Sequence, residues 1–162
     1  MSLLLRPAGI EDCAVILELI EALAEYEKLR DHCHATTGAL AAELFGPRPR
    51  AEVVIAEWEG RVAGFALYFH TFSTFLAKPG LYLEDLFVLP EHRGKGIGKA
   101  LMIHLASLVE SRGYGRLEWS VLDWNEPSIA FYESLGAKRL DQWHKFRLAG
   151  AQLAALAARK RN

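Results

Sequence analysis

Apolar residues recur along the chain with two periods, and this predicts an alternation of helices and strands. Between Ile10 and Tyr26 the apolar positions return every three or four residues, as they do on the buried face of an amphipathic helix. Other runs are rich in β-branched and aromatic residues, which is typical of strands, and Glu59–Gly60 between two of them is a hairpin signal. In order, the first half predicts a strand over Leu3–Arg6, helices from Ile10 to about Tyr26 and from Thr36 or Thr37 to about Phe45, strands over Val53–Trp58 and Val62–Phe69, and a strand that ends at Val88.

The second half of the chain predicts further elements of both kinds. A second amphipathic helix begins at Ile97 and stops at Gly113. Asn125 and Pro127 are typical of a helix start, and Gly136 is typical of its end. The other predicted elements are a strand over Arg116–Leu122, short strands around Lys138–Leu140 and Trp143–Leu148, and an alanine-rich helix over Ala151–Lys160. This order predicts a single mixed α/β domain over residues 1–162, because its hairpins argue against an all-parallel sheet.

Composition is that of a folded globular protein and excludes several function classes. Of the 162 residues, 51% are hydrophobic and 24% are charged, which suits one domain with a buried core. The net charge of −1 gives no general attraction to nucleic acid or to an anionic membrane. No apolar run reaches the roughly 18 residues of a membrane span, and the N-terminus has no signal-peptide pattern. Because Cys13 and Cys33 form no spaced pair either, we expect a cytoplasmic protein.

The segment Arg93–Gly98 is the clearest functional signal in the chain. Three glycines stand at alternate positions between a predicted strand and a predicted helix. Such glycines allow a tight turn with converging N–H groups, and the helix start adds the positive end of a dipole. Arg93, Lys95 and Lys99 can add positive charge. The segment therefore suits a phosphate or pyrophosphate group.

Spacing excludes two common phosphate loops. A Walker A motif has four residues between its first glycine and its Gly-Lys pair, followed by Ser or Thr. Here three residues separate Gly94 from Gly98–Lys99, and Ala100 has no hydroxyl group. A dinucleotide-binding fingerprint has its third glycine where Lys99 stands. The loop therefore belongs to neither class.

The segment Val88–Gly98 instead resembles the Q/R-x-x-G-x-G/A loop of the GNAT acyl-CoA N-acetyltransferases, with Arg93, Gly94, Gly96 and Gly98 in the matching places. In that family the loop amides bind the pyrophosphate of coenzyme A. Within the family, the chain is similar to the spermidine/spermine acetyltransferase branch over nearly its whole length. The stretches that carry this similarity are Arg6–Ala8, Leu23–Glu27, Tyr82–Asp85, Val121–Ser128, Phe131–Tyr132 and Leu135–Ala137.

The resemblance implies the GNAT fold, which is a mixed and strongly curved sheet with helices on both faces. It implies acetyl-CoA as co-substrate, lying between the glycine-loop strand and the strand that ends at Leu122. It also implies a homodimer, and it leaves open whether two subunits share the amine pocket. No metal is expected, because His32 and His34 have no third ligand at suitable spacing. The residues implied for donor binding are Leu86, Phe87 and Val88 on the strand, Arg93, Gly94, Lys95, Gly96, Ile97, Gly98 and Lys99 around the loop, and Asn125, Pro127 and Ser128 at the later helix start.

Direct transfer to a primary amine benefits from a base, because an alkylamine of the lysine type has a pKa of about 10.4 and is almost wholly protonated near pH 7. Glu84 is the candidate, since it interrupts the apolar run before the loop and the resemblance implies the same role. Strand alternation puts Glu84 and Leu86 on one face and Asp85 and Phe87 on the other. The resemblance implies that Asp85 helps to hold a cationic substrate. A solvent-facing charge is the alternative for both carboxylates.

The resemblance implies three further site residues. Tyr132 is the candidate general acid for the leaving thiolate, and it shares a helix face with Ser128 four residues before it. A core aromatic residue beside Phe131 is the alternative for Tyr132. Tyr26 and Glu27 match residues that line the amine pocket of the branch, although a surface position is an equal alternative for Glu27.

The acceptor amine is the least determined part of the prediction. Thr71–Phe75 stands where polyamine enzymes of the branch carry an Asp-Pro-Trp turn. This segment, together with Val121–Asn125, is closer to relatives that acetylate thialysine and other lysine-like amino acids. We therefore expect a small amine of that kind first and a polyamine second. Two alternatives stay open: a protein-lysine acetyltransferase, which needs a long groove, and a non-catalytic acyl-CoA sensor, which has no need for Glu84 and Tyr132 together.

Overall fold

The structure is a computed structural model that describes residues 2–159. Its strands form one sheet in the order β1-β2-β3-β4-β5, antiparallel as far as β4 and parallel between β4 and β5. The mixed sheet predicted from the sequence is therefore confirmed. The elements are β1 (Leu3–Pro7), α1 (Cys13–Tyr26), α2 (Thr37–Phe45), β2 (Glu52–Trp58), β3 (Arg61–Ser73), β4 (Lys78–Val88), α3 (Ile97–Ser111), β5 (Leu117–Trp119), α4 (Glu126–Ser134) and α5 (Gly150–Ala157).

Local signals in the first half of the chain explain where its elements begin and end. The side chain of Thr36 accepts a hydrogen bond from the N–H of Ala39 at 3.2 Å, and α2 starts at the next residue after this cap. In the β2–β3 turn Glu59 and Gly60 have φ of 52° and 78°, the left-handed pair that a two-residue hairpin requires. A short 3-10 turn over Ile10–Asp12 precedes α1. The regular α-helix therefore begins one turn later than the start at Ile10 that the sequence pattern predicts.

Sequence predictions are wrong at three places in the second half. The strand expected over Arg116–Leu122 is confined to Leu117–Trp119, because its pairing with β4 ends there. The strands expected around Lys138–Leu140 and Trp143–Leu148 do not form among residues 2–159. A strand needs a neighbouring backbone for its N–H and C=O groups, and neither segment is among the five strands of the described sheet. The last predicted helix is α5, and its expected end at Lys160 lies outside the described residues.

One face of the sheet packs against α1 and α2. The cluster on this face includes Ile16 of α1 and Phe65 of β3, both wholly buried, together with Phe87 of β4. Each such side chain contributes about 1.5–3 kcal/mol of burial free energy. The rings of Tyr26 and Phe87 lie 6.3 Å apart, so this packing holds the end of α1 against β4.

The helix α3 covers the opposite face of the sheet. It contributes to the core through one apolar stripe, as the spacing of its residues predicts. Because α3 follows β4 through residues 89–96, its N-terminus lies beyond the C-terminal end of that strand. The buried residues of the stripe are Ile97, Leu101, Met102, Leu105 and Val109.

Backbone contacts divide the chain into two compact units, with the boundary between Leu122 and Asp123. The first unit holds the whole sheet with α1, α2 and α3, and the second holds α4 and α5. In the second unit Oδ1 of Asn125 accepts a hydrogen bond from the N–H of Ser128 at 3.3 Å, which confirms the predicted helix cap. None of the helices within residues 2–159 combines the length and the apolar character of a membrane-crossing segment.

Candidate active site

The strand β4 carries a bulge at Glu84. Leu67 and Tyr68 are consecutive in β3, but their partners in β4 are Asp85 and Leu83, so Glu84 is an extra residue without a partner in β3. Directly opposed residues share a face of the sheet, and the bulge therefore puts Asp85 and Leu83 on opposite faces. Bulges of this kind are frequent beside active sites because they change the direction of a side chain.

Asp85 lies on the α1 side of the sheet. Its partner Leu67 packs against the α1 cluster, and Phe87 belongs to the same cluster. Strand alternation predicted Asp85 and Phe87 on one face, and the structure agrees, because both lie on the α1 side. Glu84 and Asp85 interact electrostatically with each other, and each interacts with Glu27 at the end of α1.

The carboxylate group is the set of three interacting acidic residues Glu27, Glu84 and Asp85. Burial, and then the negative charges of Glu84 and Glu27, raise the pKa of Asp85 to about 7. Burial and the charge of Glu84 also raise the pKa of Glu27. Within residues 2–159 no member of the group forms an ion pair with a lysine, arginine or histidine.

The strands β4 and β5 separate directly before the bulge. Their last paired residues are Leu83 and Trp119. We call this separation the split. Beside it, Oη of Tyr82 in β4 and Oγ of Ser120, directly after β5, lie 2.7 Å apart and form a hydrogen bond. From the bulge to Val88 the outer edge of β4 has no strand beside it among the described residues. This part of the strand edge therefore has backbone N–H and C=O groups that the sheet does not use.

Backbone donors of β4 point into this split. The N–H of Leu89 donates to the carbonyl oxygen of Ala63 in β3 at 2.9 Å. Because N–H groups along a strand point alternately to its two edges, the N–H groups of Leu86 and Val88 point away from β3. Phe87 lies between them with its ring in the core and its N–H turned toward β3.

The glycine loop leads from β4 into α3 and has the geometry of an anion-binding turn. Gly94 and Gly96 have φ of 76° and 79°, a conformation that costs a residue with a Cβ about 1–2 kcal/mol. Gly96 is the N-cap of α3 and no side chain caps this helix start. The first N–H groups of the helix, at Ile97 and Gly98, therefore stay available to an anion.

Arg93 connects the loop to both β4 and α1. Its Nε donates to the carbonyl oxygen of Val88 at 3.0 Å. Its guanidinium carbon lies 4.9 Å from the ring centre of Tyr26 and 5.4 Å from that of Phe87. A guanidinium group over aromatic rings is stabilised by a cation–π interaction of roughly 0.5–2 kcal/mol.

Lys95 and Lys99 are the exposed cations of the loop. Nζ of Lys95 lies 3.3 Å from Nδ1 of His92 and 5.5 Å from the ring centre of Trp58. Neither lysine takes part in an ion pair with a described residue. Their charges are therefore available to a phosphate group.

Four predicted site residues belong to the second unit. Asn125 is buried and its side chain starts α4 through the bond to Ser128, so it has a structural role whatever else it does. Pro127 lies in the first turn of the helix. Tyr132 is half-buried, and its ring centre lies 5.2 Å from that of Phe131.

The two histidines His32 and His34 lie between α1 and α2, at the end of a short 3-10 turn and just beyond it. Within residues 2–159 no group of three His, Cys, Asp or Glu side chains is arranged to hold a metal ion.

The sequence pattern did not predict the bulge, the electrostatic interaction among the three residues of the carboxylate group, or the contacts of Arg93. One signal for the bulge was present, because Glu84–Asp85 puts two carboxylates side by side within an apolar strand. The approach of Glu27 to β4 has no signal in the sequence, since it depends on how α1 packs.

Comparison with known proteins agrees with the fold. The Acetyltransferase (GNAT) family profile matches residues 17–137. Thialysine N-epsilon-acetyltransferase from Sus scrofa is 37% identical over 98% of this chain and 99% of that protein. An L-ornithine N5-acetyltransferase from Arabidopsis thaliana is 45% identical over 59% of this chain and 42% of that protein.

Solved structures show the same architecture. An integron cassette protein from the mobile metagenome of V. cholerae matches with a TM-score of 0.83 and 29% identity, over 98% of this chain and 99% of that one. An aminoglycoside acetyltransferase from an uncultured soil metagenomic sample matches with a TM-score of 0.76, over 91% of this chain and 95% of that one, and at 18% identity this likeness concerns the fold alone. The predicted GNAT fold is thereby confirmed. The chain belongs to the GNAT acetyltransferase family and is an N-acetyltransferase, an enzyme that transfers an acetyl group to an amine.

Proposed function

We propose that this enzyme transfers the acetyl group of acetyl-CoA to the primary amine of a small cationic molecule. Thialysine or another lysine-like amino acid is the first candidate, and a polyamine is the second. The observation that carries the proposal is the carboxylate group, to which the described residues supply no cationic partner. A protonated amine would provide that positive charge. The nearly full-length similarity to the porcine thialysine enzyme supports the first candidate.

The loop and the edge of β4 fit coenzyme A. The N–H groups that follow Gly94 and Gly96, with the charges of Lys95 and Lys99, would hold its pyrophosphate. The outward N–H groups of Leu86 and Val88 would hold the acyl arm and polarise its carbonyl, and the resemblance adds Asn125, Pro127 and Ser128. Acetyl-CoA supplies an activated thioester, so no covalent enzyme intermediate is needed.

Glu84 is the proposed base, with Glu27 and Asp85 as the groups that hold the ammonium. A carboxylate takes a proton from the bound ammonium group, directly or through a water molecule. Since the pKa of Asp85 is about 7, this residue can accept or release a proton near neutral pH. The neutral nitrogen then attacks the carbonyl carbon, and the C–N bond forms as the C–S bond breaks. The nitrogen, positively charged by its new bond, loses its second proton to water and becomes the amide nitrogen.

Tyr132 is the proposed acid. Its phenol donates a proton to the leaving sulfur and then recovers one from solvent. The base carboxylate loses its proton to water, so Tyr132 and the base both return to their starting states. This role requires residues 1–162 to form the single domain that the sequence predicts. The family profile supports that requirement, because it continues across the boundary after Leu122 as far as residue 137.

We also propose a homodimer in the cytoplasm. In the second unit Trp143 and Phe146 are 74% and 91% exposed, and exposed apolar side chains that lie close together are typical of interaction surfaces. The strand-like segment 143–148 has no sheet neighbour within residues 2–159, and a second copy would supply one. The free thiols of Cys13 and Cys33 agree with a reducing compartment.

The test is release of free coenzyme A thiol from acetyl-CoA in the presence of different amines. Thialysine, lysine, spermidine, short diamines and a histone peptide are compared at equal concentration. We expect the highest kcat/KM for thialysine or lysine. Preferential turnover of the peptide would favour a protein-lysine acetyltransferase instead. No turnover with any amine, together with tight binding of acetyl-CoA, would identify a sensor.

A further inference from the structure

Arg93 contacts the two structural elements that carry the carboxylate group. Its guanidinium lies over Tyr26, the residue before Glu27, and over Phe87, two residues after Asp85. Its Nε also donates to the carbonyl oxygen of Val88 at 3.0 Å. One side chain of the glycine loop therefore touches both α1 and β4 where their acidic residues stand.

These contacts are of a kind that a lysine cannot reproduce. The planar guanidinium presents a face to the rings while Nε donates a hydrogen bond in its plane, whereas an ammonium group is a compact charge on a flexible stem. Arg93 is exposed, so its contribution to the hydrophobic core is small. Its contacts instead link the loop to the end of α1 and to β4.

The loop is also the start of the anion-binding turn. Arg93 is followed directly by Gly94, and the N–H groups of the turn and of the first helical residues would order around a pyrophosphate. An ordered loop holds Arg93 in place, and Arg93 in turn holds the ring of Tyr26 against Phe87. Glu27, next to Tyr26, is then fixed beside Asp85.

We propose that Arg93 is a positioning residue that couples the two binding sites, so that coenzyme A in the glycine loop raises the affinity of the carboxylate group for a cationic amine. This inference rests on the proposed function, because it takes the loop as the coenzyme A site and the carboxylate group as the amine site. Coupling between two sites of one protein is typically 5- to 150-fold in affinity, and it is reciprocal.

Calorimetric titration of thialysine, with and without saturating coenzyme A, measures the coupling. Coenzyme A lacks the acetyl group, so no turnover disturbs the equilibrium. We expect coenzyme A to lower the Kd of thialysine about tenfold in the wild-type protein, and no more than about twofold in Arg93→Lys. Lys95→Met is the matched loop control. It should weaken coenzyme A binding while leaving the coupling factor at its wild-type value.

A second measurement does not depend on the identity of the amine. Coenzyme A is titrated into ¹⁵N-labelled protein while the amide resonances of Gly96 and Glu27 are followed. In the wild type both resonances should shift. In Arg93→Lys the Gly96 resonance should still shift at saturation while that of Glu27 stays in place, and dispersed spectra from both proteins show that the variant is folded.

The outcomes separate the two proposals. A wild-type protein that binds both ligands with no coupling, or an Arg93→Lys variant with full coupling, overturns the role of Arg93 and leaves the acetyl-transfer proposal intact. A Glu27 amide that does not respond to bound coenzyme A in the wild type also overturns it, even if thialysine does not bind. Failure of coenzyme A to bind at all contradicts the proposed function itself, and the coupling with it.

Discussion

Asp85 and Glu27 are electrostatic neighbours although one lies inside a strand and the other follows the last residue of a helix early in the chain. The charge of Glu27 contributes to the raised pKa of Asp85, after burial and the charge of Glu84. This relationship exists because Asp85, like Phe87 two residues later, lies on the side of the sheet that α1 covers. A cluster of negative charge results, and several predictions depend on it.

Replacing Asp85 by Asn should stabilise the folded protein at alkaline pH. An aspartate whose folded-state pKa is raised from 3.8 to about 7 favours folding while it is protonated, and that contribution is lost as the pH rises from about 4 to about 7. Above pH 8 the Asn variant should therefore gain about 1–3 kcal/mol in unfolding free energy over the wild type, with little difference at pH 4. Urea unfolding at pH 4, 6 and 8.5 measures this. The exposed Asp141→Asn change is the control, and an equal response from it would refute the assignment.

Replacing Glu84 by Gln distinguishes two possible proton acceptors. If Glu84 is the base, the pH optimum of kcat/KM should move upward in the variant, because the amine must then lose its proton to solvent. If Asp85 accepts the proton instead, loss of the Glu84 charge lowers the pKa of Asp85 and moves the acidic limb downward. We expect the upward shift. A pH profile identical to the wild type would count against a base role for either residue.

Replacing Tyr132 by Phe should remove most of the turnover without weakening donor binding. Loss of a general acid typically costs about 10²- to 10⁴-fold in rate, while the ring and its packing against Phe131 are kept. Steady-state kinetics and the Kd of acetyl-CoA measure the two effects separately. Tyr114→Phe, at the edge of His70 in the first unit, is the matched control and should retain its rate. Equal rates in both variants would remove Tyr132 from the mechanism.

Replacing Gly96 by Ala should weaken coenzyme A binding and cost about 1–2 kcal/mol in stability. The reason is the backbone, since φ is 79° at this position and an added Cβ would meet no atom within 4 Å. Gly38→Ala in α2 is the control, because its surroundings are equally open but a helical alanine is favourable by up to about 1 kcal/mol. Thermal unfolding and calorimetry with coenzyme A compare the two. A Gly96→Ala protein as stable as the wild type would contradict the left-handed turn.

Replacing Phe146 by Ser should shift a dimer toward monomer. Phe146 is 91% exposed within its own chain, so a stability loss in the monomer is not expected. Sedimentation velocity over a range of concentrations measures the change, and Phe75→Ser, at a fully exposed position in the first unit, is the control. A wild-type protein that sediments as a monomer at all concentrations would disprove the homodimer.

Local features of the molecule were predictable from the sequence. The caps at Thr36 and Asn125, the hairpin at Glu59–Gly60 and the apolar stripes of α1 and α3 depend on residues within one or two turns of each other. The glycine loop is of the same kind, because its left-handed residues need only to be glycines at the right spacing. For this reason the sequence was sufficient to predict the glycine turn and the family.

Tertiary structure decided what lies around that loop. The bulge at Glu84 depends on how β4 registers with β3, and the segment 143–148 remains unpaired because a strand exists only beside another strand. The position of Glu27 beside Asp85, and of Arg93 over Tyr26 and Phe87, follows from packing between elements far apart in the chain. Contacts of this kind have no period in the sequence, since their geometry is set only when the helices pack on the sheet.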